Sequence, residues 1–265
     1  MTTRTFAKQY STAARRYRAE RNHAWLSTRA APLALPRIVD SRPTELVFEW
    51  IDGRHAEPRD LVKLADHLGD AHGATWSSSL RHARLFAPHR ATDGHSIPGF
   101  LGPREAALRR RFRDGVITTL QDLHCALGLA RQAAAGPTAF YKDTNPRNIL
   151  ITRSGRPITL DTDDLSLAPF GYDLAKLVVT LSMTHGSLPE PWVSRALTVY
   201  NSAAAAHHPA LGGTTMSRLL DYAELHAILT APYLGHGGYR WPWNHVRPTP
   251  HTETHQRASR RQQCP

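Results

Sequence analysis

Three side chains bearing oxygen donors fall close together in the second half of the chain: Asp143, Asn148 and Asp161. Asp143 and Asn148 flank a polar loop that runs straight into the apolar stretch Ile149-Leu150-Ile151. Asp161 closes the next stretch, Ile158-Thr159-Leu160, and Ser154-Gly155 supplies the turn between the two. A hairpin so formed holds oxygens at one end. That arrangement suits Mg²⁺, a hard cation commonly held by one or two carboxylates together with substrate phosphates. A further carboxylate on the same loop is placed to receive the proton of an attacking hydroxyl. An Asp-x₄-Asn pair alone is common; the flanking strands and the later segment Tyr172-Asp-Leu-Ala175 give it weight. Asp163 and Asp164 read as loop-capping residues, with Asp163 available to support a metal.

The elements that must position these groups follow from periodicity. RTFAKQY reads as a strand and YSTAARRYRAERNHAWLS as a helix, with Ser11 as N-cap and Ala13, Tyr17, Glu20 and Ala24 on one stripe. PRIVDS and TELVFEWI, separated by Ser41-Arg42-Pro43, read as an antiparallel pair ending at Asp52-Gly53. LVKLADHLGDAHGATW is a helix, and the Ser-, His-, Pro- and Gly-rich stretch to about residue 102 reads as loops. Leu108, Phe112, Val116, Leu120, Leu123 and Leu127 recur at helical steps and predict one long helix from Arg104. Three more helices are predicted after Tyr172, within 172–185, 191–208 and 216–234. A small strand-helix-strand-strand unit thus precedes a mainly helical body.

The pattern Asp143-Thr-Asn-Pro-Arg-Asn148, then Leu160-Asp161-Thr-Asp-Asp164, then Gly171-Tyr-Asp-Leu-Ala175 resembles the aminoglycoside phosphotransferase and choline kinase branch of the protein-kinase-like superfamily. The resemblance implies an α+β, protein-kinase-like two-lobed fold, here with a shortened N-terminal lobe over 1–53 and a mainly helical C-terminal lobe over 54–245, while the polar composition of 246–265 predicts a disordered basic tail. It implies ATP or another nucleoside triphosphate, Mg²⁺ and a small-molecule alcohol as acceptor. Asp143 would be the catalytic base, Asn148 and Asp161 the metal ligands, and Asp173 a structural anchor. Lys8 and Glu20 would be the pair that neutralises and steadies the nucleotide phosphates. The plainer reading makes Lys8 a solvated charge and Glu20 an exposed partner of Arg16.

Two departures stand out. Tyr141 occupies the place of the family's usual histidine, and Lys142 follows it, either close to the transferred phosphate or as an exposed lysine. Only seven residues precede Lys8, which leaves no room for the two strands and glycine-bearing turn that normally cover the phosphates. A true start upstream of Met1, a curtailed lobe or an inactive remnant would each account for it.

Composition restricts the alternatives. The chain has 265 residues, 41% of them hydrophobic, and a formal charge of +11. The arginine excess is scattered rather than laid along one face, which argues against a nucleic-acid partner. No apolar run is long enough to cross a membrane and the start lacks a signal-peptide core, so a cytoplasmic protein is expected. Two cysteines provide neither a disulfide framework nor a thiolate metal site. Sixteen histidines, read mostly as surface residues, form no His-Glu-x-x-His. Asp161-Thr162-Asp163 also fits the DxD signature of a metal-dependent glycosyltransferase, but that reading leaves Asp143, Asn148, Lys8 and Glu20 without roles. A non-catalytic nucleotide-binding or regulatory module is the other alternative.

Overall fold

The computed structural model describes residues 4–92 and 94–248. Strands β1 (Thr5–Gln9), β2 (Ile38–Arg42) and β3 (Glu45–Glu49) form an antiparallel sheet with β3 in the centre, and Lys8 lies opposite Leu46. Helix α1 (Ala13–Arg29) crosses it. Ala19, Leu46 and Phe48 form a separate small core there, flanked by Tyr10 and Ile38. Thr12, not Ser11, caps α1 by accepting from the Arg15 amide. Ala19, Asn22, Trp25 and Leu26 face inward while Tyr17 is 57% exposed, so the expected stripe through Tyr17 is corrected.

The second and larger core is built around α5 (Tyr172–His185), whose residues 172–183 are all buried. A helix covered on every side must be central, and α2 (Leu61–Thr75), α7 (Met216–Thr230) and the short α8 (Trp243–Val246) pack against it. Helix α6 (Glu190–Ala205) packs in turn on α2. Val246, the first residue of the expected tail, is buried; residues 249–265 of that tail lie outside the described residues.

The single long helix expected from Arg104 is two, α3 (Leu101–Arg113) and α4 (Leu120–Ala133). Gly115 has φ +75°, and the amide of Val116 reaches back to the Arg111 carbonyl, a helix-ending Schellman arrangement that glycine's freedom at positive φ allows. Thr119 then starts α4 by accepting from the Asp122 amide. The apolar spacing simply continued across the break. The stretch expected as loops carries a π-helical turn (Trp76–Leu80) and a two-residue hairpin, β5 (His89–Arg90) with β6 (Ser96–Ile97).

Short strands complete the body: β4 (Gly53–His55), β8 (Ile149–Thr152) and β9 (Pro157–Thr159) make one sheet, and β7 (Thr138–Tyr141) pairs with β10 (Ser166–Pro169). No described helix is long and apolar enough to cross a membrane.

Among the described histidines, His72, His95 and His226 are buried. Burial, with Lys176 and Arg104 nearby, holds His226 well below the usual histidine range despite its contact with the Tyr172 carbonyl, 2.9 Å from Nε2. A histidine kept neutral when folded protonates only on unfolding, so the unfolded state binds more protons and stability falls as pH drops below about 6.5. Between pH 7.5 and 5.5 this group should cost about 1.4 kcal/mol. Denaturant unfolding of the parent chain and of His226→Asn at both pH values measures it, and an unchanged pH dependence in the variant would refute the assignment.

Candidate active site

Strand β7 delivers Tyr141, Lys142 and Asp143 to the mouth of the large lobe, and Asp173 on the first turn of α5 holds the loop that follows. Its carboxylate is fully buried and accepts from the amides of Lys142 (3.4 Å) and Thr144 (3.3 Å), with His72 Nε2 at 3.7 Å. Gripped on both sides, Asp143 adopts φ +58°, the one non-glycine residue with positive φ among the described residues. Side chains avoid that left-handed region unless the surroundings enforce it. The Asp143 carbonyl accepts from the Asn145 amide at 2.7 Å and from Asn148 Nδ2 at 3.2 Å, which leaves Asn148 Oδ1 as an oxygen donor. A 3₁₀ turn, Pro146–Asn148, capped by the Asn145 side chain, then feeds β8.

Pairing of Ile149 with Thr159 sets β9 beside β8, and the Leu160 amide donates to the Asn148 carbonyl, so Asp161 emerges next to Asn148. The expected trio of Asp143, Asn148 and Asp161 is therefore brought together. Asp161 Oδ1 accepts from the Asp163 amide at 3.0 Å.

Side chains alternate along a strand, so Lys8 and Tyr10 share one face of β1, and that face meets the Asp161 loop. Lys8 Nζ lies 3.1 Å from Asp161 Oδ1 and 2.9 Å from Asp163 Oδ2, and Tyr10 Oη donates to Asp163 Oδ1 at 3.1 Å. Burial disfavours the charge on Lys8, but the two carboxylates outweigh it and raise its pKa. Burial also works against Asp161, yet the Asp163 amide and Lys8 hold its carboxyl below the usual range; burial and the Asp161 charge raise Asp163. Asn22 pins the same loop from α1, its Nδ2 donating to the carbonyls of Thr162 and Asp163, both at 2.9 Å.

Two expected relationships are corrected. Glu20 pairs with Arg16, one helical turn away, while the ion pairs of Lys8 run to Asp161 and Asp163. Lys142 is 1% exposed, which excludes the surface reading; its Nζ has no hydrogen-bond partner, burial lowers its pKa, and Asp173, Asp143 and Asp161 oppose that effect.

Several contacts at the site had no part in the sequence reading. Tyr141, in the place of the family's histidine, donates from its hydroxyl to Asp143 Oδ1 at 2.9 Å. Lys176 Nζ lies 3.3 Å from the same oxygen and donates to Thr230 Oγ1 at 3.2 Å. The signal for Lys176 was its place three residues after Asp173, on the same face of α5. The Arg104 guanidinium stands 4.6 Å from the centre of the Tyr141 ring, and its Nε donates to Tyr172 Oη. Asn145 Nδ2 donates to Tyr239 Oη, and Arg147 lies against Gly237 and Gly238, so the turn after α7 closes over the loop that follows β7.

A small sheet lobe, a helical lobe and a polar loop-and-hairpin site at their junction define a protein-kinase-like fold. The chain belongs to the phosphotransferase enzyme family, whose model matches residues 2–212. No curated protein sequence matches it. Among solved structures, a choline kinase of Streptococcus pneumoniae aligns with a TM-score of 0.58 at 12% identity, over 86% of this chain and 76% of that one. A macrolide 2'-phosphotransferase of Brachybacterium faecium aligns with a TM-score of 0.58 at 14% identity, over 94% and 86%. An aminoglycoside phosphotransferase of Streptomyces rimosus, in complex with ADP and streptomycin, aligns with a TM-score of 0.52 at 18% identity, over 85% and 86%.

Asp173→Ala is expected to lower the free energy of unfolding by about 3 kcal/mol, since two amides lose their buried acceptor and the buried Lys142 loses an opposing charge. Chemical denaturation measures the loss; a value under about 1 kcal/mol would mean that the carboxylate does not hold the loop.

Proposed function

We propose that the chain transfers a phosphoryl group from ATP, or another nucleoside triphosphate, to a hydroxyl of a small molecule, with Asp143 as the catalytic base. The observation that carries this reading is the fixation of Asp143. Its backbone is held in the left-handed region, its Oδ1 is occupied by Tyr141 and Lys176, and its side chain remains 39% exposed. Oδ2 is left to accept the proton of an incoming hydroxyl, a role that contributes through position and proton affinity together. The ADP bound by the Streptomyces rimosus relative supports a nucleotide as donor.

The donor set fits Mg²⁺. Asn148 Oδ1 and the carboxylates of Asp161 and Asp163 are all hard oxygen ligands, and the two carboxylates already converge on one cation, the Lys8 ammonium. Bound there, the ion would neutralise and orient the phosphates. Lys8, released from the carboxylates, would turn its ammonium to the phosphates. Glu20 would steady it in that position only after exchanging its partner Arg16. Lys142 adds positive potential from below the loop without touching the nucleotide.

The glycosyltransferase alternative draws no support from the family match, and Lys8, Tyr10 and Asn22 already give the Asp161-Thr162-Asp163 segment a structural setting. A non-catalytic nucleotide-binding role has one observation in its favour: Lys8 rests on Asp161 and Asp163 instead of Glu20.

Transfer assays with labelled nucleotide and a panel of alcohols, run beside nucleotide-binding measurements, test the proposal. Asp143→Ala should lower transfer by about 10²-fold to 10⁴-fold with nucleotide affinity nearly unchanged. Asp161→Ala should abolish the magnesium dependence of nucleotide binding. Normal transfer by both variants would overturn the assignment, and nucleotide binding without transfer by the parent chain would favour the non-catalytic role.

A further inference from the structure

The charges facing Asp143 are unlike those a cationic acceptor would need. A positively charged alcohol is recognised by carboxylates or by aromatic faces left free for it. Here the group nearest the base is an ammonium: Lys176 Nζ, 3.3 Å from Asp143 Oδ1, with its side chain 11% exposed. Behind Tyr141 stands Arg104, whose Nη2 is buried without a hydrogen-bond partner and whose guanidinium covers the Tyr141 and Tyr172 faces at 4.6 and 5.4 Å. The Tyr141 and Tyr172 faces are thus already spent on a cation. At the rim, the exposed Arg147 stands between Asp143 and Asn148 in sequence, lies against the Gly237-Gly238 turn and has no ion pair among the described residues.

Carboxylates on the surrounding elements are committed elsewhere. Asp173 is consumed by backbone amides, Glu105 pairs with Arg131, Glu224 pairs with Arg247, and Asp221 is engaged. From Gly186 to Pro248 the remaining acidic residue is Glu190, on the first turn of α6, beyond the α7 side of the site. His226, which faces Lys176 and Arg104, is held neutral and adds no charge of its own. Beside Asp143 on the α3, α5 and α7 side the charges are positive, and the Asp161 and Asp163 carboxylates are engaged by Lys8.

We propose that the acceptor is an anionic alcohol, a small hydroxyl compound carrying a carboxylate or a phosphate, whose negative group is held by Lys176 from inside and Arg147 at the rim. The proposal rests on the phosphotransferase reading of the same site. An acceptor anion would draw Lys176 partly away from Asp143, so that the same event that seats the substrate frees the base. Balance in the reaction is simple: the acceptor oxygen forms the new bond to phosphorus, the bond from phosphorus to the nucleoside diphosphate breaks, and the hydroxyl proton passes to Asp143.

The test is a matched panel of hydroxy acids, sugar phosphates, choline, ethanolamine and an aminoglycoside, each followed by calorimetric binding and by transfer from labelled ATP. It is run on the parent chain, on Lys176→Gln and, because Lys176 lies in the core, on the surface variant Arg147→Gln. Anionic alcohols should bind the parent chain in preference to cationic ones, and each variant should weaken that binding by about tenfold or more. Hydroxy acids bound in preference to sugar phosphates, or the reverse, would identify the anionic group. Preference for choline, ethanolamine or the aminoglycoside, no binding of any anionic alcohol, or anion binding unmoved in a folded Arg147→Gln would overturn the proposal. Anion binding that depends on both cations but moves no phosphate would leave the anion site standing and refute the transfer reading instead.

Discussion

The buried carboxylate of Asp173 is the constraint from which the site is built. Helix α5 is enclosed on all sides, and an ionised group at its start is tolerable only because backbone amides and a helix N-terminus are there to meet it. Meeting it bends the loop after β7 into a conformation that side chains ordinarily avoid, and that bend presents Asp143 outward. One turn further along, the same helix supplies Lys176 to the same carboxylate. A single rigid element therefore anchors the loop that carries Asp143, through Asp173, and supplies the charge beside it, through Lys176.

The small lobe is attached on different terms. Three buried apolar residues make a core too slight to stand alone, and its sheet has no second layer beyond α1. What ties it to the large lobe at the site is polar: Lys8 and Tyr10 reach from β1 to the aspartates after β9. Under the proposed function those aspartates are the groups a divalent cation would claim, and the fastening between lobes and the proposed seat for nucleotide would then share the same oxygens. Competition between an ammonium and a metal ion for one pair of carboxylates then links lobe contact to ligand occupancy.

How much of this could be read in advance depended on how local the cause was. The β1 strand, the β2–β3 pair, the β8–β9 hairpin and the trio Asp143, Asn148 and Asp161 were legible because spacing and turn residues determine them. The break between α3 and α4 was missed because apolar spacing carries on through Asp114-Gly115, and only the cap geometry shows that the helix stops. The inward face of α1, through Ala19, Asn22, Trp25 and Leu26, is set by the two cores and the aspartate loop it meets, which are distant in sequence. Long-range partnerships were the hardest: nothing near Lys8 in sequence distinguishes Glu20 from Asp161, which lies 153 positions away, and nothing marks Lys176 as a neighbour of Asp143 except a shared helical face.

Helix α1 has one more property worth following. Ala19 lies in the small core, Trp25 and Leu26 lie in the large one, and Asn22 between them is bonded to the backbone after Asp161 and to His95. A straight rod anchored in two bodies cannot let them swing apart like pages of a book. Asn22 is the polar link at that crossing, its side-chain amide tied to the backbone carbonyls after Asp161. Motion at the sheet would be passed on as torsion of the aspartate loop, making α1 a crankshaft between cleft width and the arrangement of the acidic ligands.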